Sequence, residues 1–354
     1  MVTLNEDRWR RYQIRHDTEY CYAYAVNSAR HRAHLVPSDH ADQHVAGYSI
    51  DINQPLSESR EGRDFFGNAY RDFSINMPHR LLDVRVSMIV DVRAPRWPAS
   101  ETPWAGESLA RRVFEPGDQA ANDFALMCAP FLTDSPMIPT LSAVGAWARD
   151  RISDDARPLH DQLLKITRAI HEEFIFDPEA TAVGTPLREV FSNRRGVCQD
   201  FAQIMISGLR CLGIPARYVS GYILTHPPPG KPRLVGADAT HAWVEAWCPD
   251  HGWLGLDPTN GKAVSDEFVI LARGRDYADV IPLRGVVIGG GEHTLDVSVT
   301  MLPEEEVEAS GQCNAKLRQT VNPAGNDVTS DHGGHTTRGT GKNQVAGRQG
   351  EEVR

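Results

Sequence analysis

Three residue types that can act together in acyl-transfer chemistry occur in this chain at Cys198, His241 and Asp257. A cysteine nucleophile needs a base, usually histidine, and the histidine needs a carboxylate or amide that orients it. The apolar residues after Cys198 recur three or four positions apart, which predicts a helix that begins at the cysteine. In the first turn of a helix, unpaired N–H groups and the helix dipole favour a thiolate and could hold an oxyanion. The alternative is that Cys198 is a small buried hydrophobic residue.

The segment from His241 to Asp257 predicts a β-hairpin with its turn at Pro249-Asp250-His251-Gly252. If the turn centres on residue 250, the numbers of facing residues sum to about 500, so Asp257 faces Trp243. His241 and Asp257 are then diagonal neighbours on one face, roughly 7–8 Å apart at the backbone. A shift of one residue would place them on opposite faces, so the pairing depends on the register.

Two nearby features have two interpretations each. Asp200 follows the cysteine by two positions, and it either braces the loop before the nucleophile or complements the helix dipole. Trp243 and Trp247 either form a wall of a cleft or belong to the core of the sheet.

Composition restricts the class of protein. The chain has 354 residues, 41% of them hydrophobic, which predicts two folded domains and a tail. A formal charge of −10 without a basic stripe argues against a nucleic-acid partner. No run of 18 apolar residues and no apolar signal core are present, so we expect neither a membrane span nor secretion. Six cysteines without a CxxC pair indicate free thiols in a cytoplasmic protein.

Hydrophobic patterning divides the chain into four segments. Residues 1–100 read as an antiparallel β-sandwich, with Leu82–Val92 as the clearest alternating strand. Residues 101–158 form a linker and a helical segment, and residues 159–302 alternate helices with strands. Residues 303–354 contain no aromatic side chain and predict a disordered polar tail.

Two pairs of histidines in the β-rich region have spacings that suit a metal on a helix. They are His31 with His34, and His40 with His44. Because strands are expected there, we predict surface histidines and no metal site.

Four ordered blocks of sequence resemble the bacterial transglutaminase-like superfamily. They are Gly196-Val197-Cys198-Gln199-Asp200-Phe201-Ala202, Arg210 to Tyr222, Asp238 to Glu245, and Gly252 to Asn260. Two further segments also resemble proteins of this bacterial group, Phe66-Gly67-Asn68 and Gly274 to Gly285. The resemblance covers residues 10–302. It implies an α+β, papain-like core, in which the nucleophile helix packs on an antiparallel sheet behind an N-terminal β-sandwich. It also implies a Cys-His-Asp triad at Cys198, His241 and Asp257.

The chemistry expected from this triad is acyl transfer on a peptide or carboxamide bond. With water as the acceptor the protein would be a cysteine peptidase or amidase, which is the reading we favour. With an amine as the acceptor it would be a protein-glutamine transglutaminase. A third interpretation is a peptide-binding module that keeps the fold without turnover. A peptide or protein substrate is the expected partner, and no metal or organic cofactor is required.

Overall fold

The computed structural model describes residues 8–96, 119–152, 157–226, 240–249 and 251–309. Most of the described strands belong to two antiparallel sheets, one of seven strands and one of five. In the described ranges, the helices lie between the sheet-forming segments of the chain or at its described end. The α+β architecture predicted from the sequence is confirmed.

The first sheet is built around one long strand. β1 (Arg10–Ala33) is flanked on its two edges by strands that follow one another along its length. The other strands are β2 (Gln43–Ile52), β3 (Glu58–Arg63), β4 (Ala69–Ile75), β5 (His79–Val92), β13 (Leu283–Gly289) and β14 (His293–Pro303). Alternating side chains of β1 and β5 are buried, as the period of two in the sequence predicts.

β1 is irregular near its middle on both edges. Its pairing with β5 shifts register between Cys21 and Val26, and its pairing with β13 shifts between Val26 and Ser28. Opposite this point, Gly289, Gly290 and Gly291 all have positive φ angles, and the N–H of Gly290 donates to the carbonyl of Ala25. Only glycine adopts such a run of conformations without strain. Buried side chains from both halves of β1, on either side of this irregularity, belong to one hydrophobic core.

The second sheet has the strand order β11-β10-β9-β8-β12. These strands are β8 (Ala216–Ile223), β9 (Thr240–Cys248), β10 (Gly252–Asp257), β11 (Lys262–Ala263) and β12 (Phe268–Gly274). The short strands β6 (Ile175–Phe176) and β7 (Arg195–Gly196) pair separately, in parallel.

One long, buried helix packs on this five-stranded sheet. The described helices are α1 (Gln119–Cys128), α2 (Ser142–Arg149), α3 (Leu159–Glu173), α4 (Leu187–Asn193), α5 (Cys198–Cys211) and α6 (Glu304–Ala309). α5 is buried over almost its whole length and contacts α2, β8 and β9. α2 lies in the part of residues 101–158 for which the sequence predicts a helical segment, and α3 begins at residue 159.

The last two strands in the described ranges return to the first sheet. β13 and β14 lie largely within residues 159–302, the range in which the sequence predicts alternating helices and strands, yet both pair with β1 of the N-terminal range. Residues 304–309, at the start of the predicted polar tail, form α6, in which Val307 is buried. The rest of that tail, and residues 101–118 and 153–156 of the predicted linker and helical segment, lie outside the described residues.

The prediction of surface histidines is wrong for one pair. His31 and His34 are both buried: His31 belongs to β1 and stacks on Phe73, whereas His34 directly follows the end of β1 and lies beside Asp64. Of the other pair, His44 is exposed and His40 is half-buried. Within the described ranges, no helix is both long and apolar enough to cross a membrane.

Candidate active site

Cys198 is the first residue of α5 and is buried, with only 7% of its surface exposed. The first ladder bond of the helix runs from the N–H of Phe201 to the carbonyl of Val197. The N–H groups of residues 198–200 precede that bond, so none of them has a partner within the helix. The predicted helix start is confirmed.

Asp200 braces the loop before the cysteine. Its Oδ2 accepts hydrogen bonds from the Val197 N–H (2.9 Å) and from the Thr181 hydroxyl (2.6 Å). Burial raises the pKa of this carboxyl, against the lowering effect of the two donors. A Cβ on Gly196 would come within 2.5 Å of the same oxygen, which explains why a glycine precedes Val197.

The β9–β10 hairpin has the register that the sequence predicts. Trp253 pairs with Trp247 and Leu256 pairs with Val244, so the numbers of each pair sum to 500. His241 and Asp257 consequently share a face, and Nε2 of His241 lies 2.9 Å from Oδ2 of Asp257. Both side chains are buried, and Asp257 is fully so.

The loop that follows Asp257 donates hydrogen bonds to both oxygens of its carboxylate. Oδ1 accepts from the backbone N–H groups of Thr259 and Asn260, and Oδ2 also accepts from the Asn260 side-chain amide at 2.6 Å. His171 of α3 lies 2.7 Å from the Thr259 carbonyl, which ties this loop to the helix layer. Sequence reasoning missed Asn260 as a site residue, although its place three positions after an aspartate is typical of a local turn bond.

The environment of His241 favours its charged form. Burial lowers the pKa of the imidazole, but the Asp257 carboxylate and hydrogen bonds to Asp257 and Cys198 outweigh it and raise the pKa to about 10. Because Nε2 faces Asp257, Nδ1 is the nitrogen left to face the thiol. The imidazole is therefore placed to exchange a proton with the thiol, as the base that serves a cysteine nucleophile must be.

The two tryptophans belong to packing clusters. Trp243 is fully buried, contacts Phe268 edge to face at 5.3 Å, and lies 6.1 Å from the His241 ring between centroids. Gly221 leaves room for it, since a Cβ there would come within 2.4 Å of the indole. Trp247 packs against Trp253 at the other end of the hairpin. The core interpretation of Trp243 therefore holds, with the addition that it supports the histidine ring.

The structure brings all three predicted residues together, in an arrangement suited to nucleophilic chemistry at a carbonyl. The thiol, the imidazole and the carboxylate form a chain of contacts at the start of a helix. Within the described ranges, no group of three or more His, Cys, Asp or Glu side chains is placed to hold a metal ion.

Comparison with known proteins gives the class. Residues 146–258 match the model of the transglutaminase-like superfamily, and residues 12–91 match that of the bacterial transglutaminase-like N-terminal region. An uncharacterized protein of Mycobacterium tuberculosis is 38% identical over 306 residues, which cover 83% of this chain and 93% of the relative. The chain belongs to the transglutaminase-like superfamily.

Two further matches concern part of the sequence and the fold. A protein-glutamine gamma-glutamyltransferase of Pseudomonas aeruginosa is 36% identical over 116 residues, which are 30% of this chain and 17% of that protein. The crystal structure of a candidate cysteine protease from Cytophaga hutchinsonii superposes with a TM-score of 0.62 at 19% identity, over 84% of this chain and 91% of the other. That structural likeness supports the papain-like fold.

Proposed function

We propose that this protein is a cysteine-dependent acyl-transfer enzyme that hydrolyses peptide or carboxamide bonds through Cys198, His241 and Asp257. The observation that carries the proposal is the 2.9 Å contact between His241 Nε2 and Asp257 Oδ2, together with the Cys198 thiol at the start of α5, which is one of the groups that raise the pKa of His241. This is the order of nucleophile, base and orienting carboxylate that acyl transfer requires.

The reaction proceeds in two halves. The Cys198 thiolate attacks the substrate carbonyl while the free N–H groups of the first turn of α5 hold the developing oxyanion. The imidazolium of His241 gives its proton to the leaving amine, which departs and leaves a thioester. His241 then takes a proton from water, the resulting hydroxide attacks the thioester, and the free acid and the Cys198 thiolate are released, with His241 again an imidazolium. Asp257 fixes the orientation of the imidazole and stabilises its charge.

The second candidate function differs only in the acceptor. The similarity to the Pseudomonas aeruginosa glutamyltransferase over 30% of the chain favours an amine in place of water, which would make the enzyme a transglutaminase. A cleft that excludes water and admits a lysine-like chain would be needed for that outcome.

The test is to incubate the full chain with a glutamine peptide and a millimolar primary amine and to measure free acid and amine adduct by mass spectrometry. We expect the free acid to be the main product. A product that is mostly the adduct would reject hydrolysis in favour of transamidation. Neither product, with a panel of peptide amides, would reject both and leave a binding module.

Variants separate the roles of the three residues. Cys198→Ala and His241→Ala should each lower kcat by about 10⁶-fold, and Asp257→Ala by about 10⁴-fold, as in other triads whose carboxylate only orients the base. Cys211→Ala is the matched control, because Cys211 is the last residue of the same helix and its thiol contacts the Leu141 carbonyl at the end opposite Cys198. Normal turnover by Cys198→Ala would overturn the mechanism.

A further inference from the structure

Next to the nucleophile, β6 exposes two apolar side chains. Ile175 and Phe176 are each 54% exposed, although they lie in a strand that pairs directly with β7. Phe176 is the register partner of Gly196, two residues before Cys198. Neighbouring strands are about 4.8 Å apart and two residues span at most about 7 Å, so the Phe176 and Cys198 Cα atoms are within about 12 Å.

The ring of Phe176 is directed towards the nucleophile helix. It contacts Phe201 with ring centroids 6.5 Å apart and planes at 79°. Phe201 is three positions after Cys198 in α5, so the two residues lie on neighbouring positions of one helix face. Phe176 therefore presents a half-open aromatic surface beside the first turn of α5.

The backbone of β6 adds a second feature. The N–H groups of Ile175 and Asp177 donate to the carbonyls of Arg194 and Gly196, at 2.8 and 2.9 Å. Because backbone groups alternate in direction along a strand, those of Phe176 point away from β7. An extended peptide can pair with such an edge while a side chain of the peptide contacts the neighbouring ring.

We propose that Phe176 is a specificity-determining residue that forms the apolar wall of a substrate subsite. The preferred substrates are then extended peptides or amides with an apolar side chain adjacent to the reacting carbonyl. This proposal rests on the function proposed for Cys198. It goes beyond that function by naming the chemical class of the group that the site selects.

The test uses two thiol reagents with the same reactive group, so that it does not depend on turnover. Iodoacetamide is small and polar, whereas N-benzyl iodoacetamide carries an aromatic ring on its amide nitrogen, on the far side of the carbonyl from the reacting carbon. The rate of Cys198 labelling by each reagent is followed by mass mapping and corrected for the rates with glutathione. The preference of the wild type for the benzyl reagent should fall about 3- to 10-fold in Phe176→Ala, the range of one aromatic contact.

Matched variants make the result specific. Ile175→Ala removes an equally exposed apolar side chain that projects from the other face of the strand, so it should leave the preference unchanged. Phe176→Tyr should retain most of the preference because the ring remains. Equal labelling of Cys198 by iodoacetamide in all variants would show that the nucleophile is intact.

The outcomes distinguish this proposal from the function on which it rests. The same benzyl preference in wild type and Phe176→Ala, or a larger loss in Ile175→Ala, overturns the subsite alone. A preference that depends on Phe176, without turnover of any amide, keeps the subsite and rejects the hydrolase. Failure of both reagents to label Cys198 in the folded protein overturns both.

Discussion

At the scale of single residues, the main feature of the candidate site is that hydrogen-bond donors surround both oxygens of the Asp257 carboxylate. It accepts from His241, from two backbone N–H groups and from the Asn260 amide. These donors hold its pKa below the usual range although burial opposes them. A charged carboxylate fixed in this way keeps the imidazole of His241 oriented and protonated.

This pairing makes a prediction about pH. The pKa of His241 is raised from 6.5 to about 10, so the stability gained from the charged pair is fully present below pH 6.5. It is lost as the pH rises through about 10. The difference in unfolding free energy between the wild type and Asp257→Asn should therefore be largest near pH 6 and shrink up to pH 10. Urea denaturation at several pH values measures it.

A control for this experiment is Asp91→Asn. Asp91 pairs with Arg11, whose guanidinium keeps its charge throughout this range, so its effect on stability should stay constant. A difference for Asp257→Asn that is constant or grows with pH would contradict the assignment of a charged His241.

At the scale of elements, three strands of the second sheet are joined by a buried ion cluster. Glu245 of β9 lies 2.6 Å from Arg217 of β8 and 2.9 Å from Arg273 of β12. Burial raises the pKa of this carboxyl, but the two guanidinium groups dominate and lower it to about 2. Arg217 is also held over the Trp253 ring at 4.1 Å. The cluster fixes β8 and β12 relative to the strand that carries His241.

Removing the central charge should be strongly destabilising. Glu245→Gln keeps the shape of the side chain but leaves two half-buried guanidinium groups without a counter-charge, which costs about 3–5 kcal/mol. Glu58→Gln is the matched control, because its partner Arg30 and Glu58 itself are mostly exposed, and it should cost less than about 1 kcal/mol. Chemical denaturation compares them. Equal effects would mean that the cluster contributes no more than a surface pair.

At the scale of the whole molecule, the first sheet covers the open edge of the second. β12 is an edge strand, and an unpaired edge leaves backbone groups without partners. The Gln43 amide bonds both backbone groups of Ile270, at 2.8 and 2.9 Å. The Asn68 amide does the same for Arg273, at 2.7 Å in both bonds. Phe268 of the same strand contacts the His241 ring, so the N-terminal region supports the site.

Loss of one of these amides should destabilise the protein. Asn68→Ala removes a buried amide and leaves the partly buried N–H and carbonyl of Arg273 without this partner, which costs about 1–3 kcal/mol. Asn53→Ala is the control, because the exposed Asn53 amide also bonds backbone groups, of Leu81 and Asp83, where water can replace it. Thermal denaturation compares the variants. An equal shift in Tm for both would show that the link between the sheets is not significant.

The sequence by itself determined the local parts of this protein. The helix that begins at Cys198 follows from its apolar period, and the contact of His241 with Asp257 follows from hairpin register, since both depend on residues close in the chain. The tertiary structure decided where distant segments meet. β13 and β14 return to β1, Asn68 pairs with β12, and Phe176 lies beside the nucleophile turn. The burial of His31 and His34 was also decided by the tertiary structure. Burial depends on which strands pack together, and the spacing of residues along the chain does not predict this.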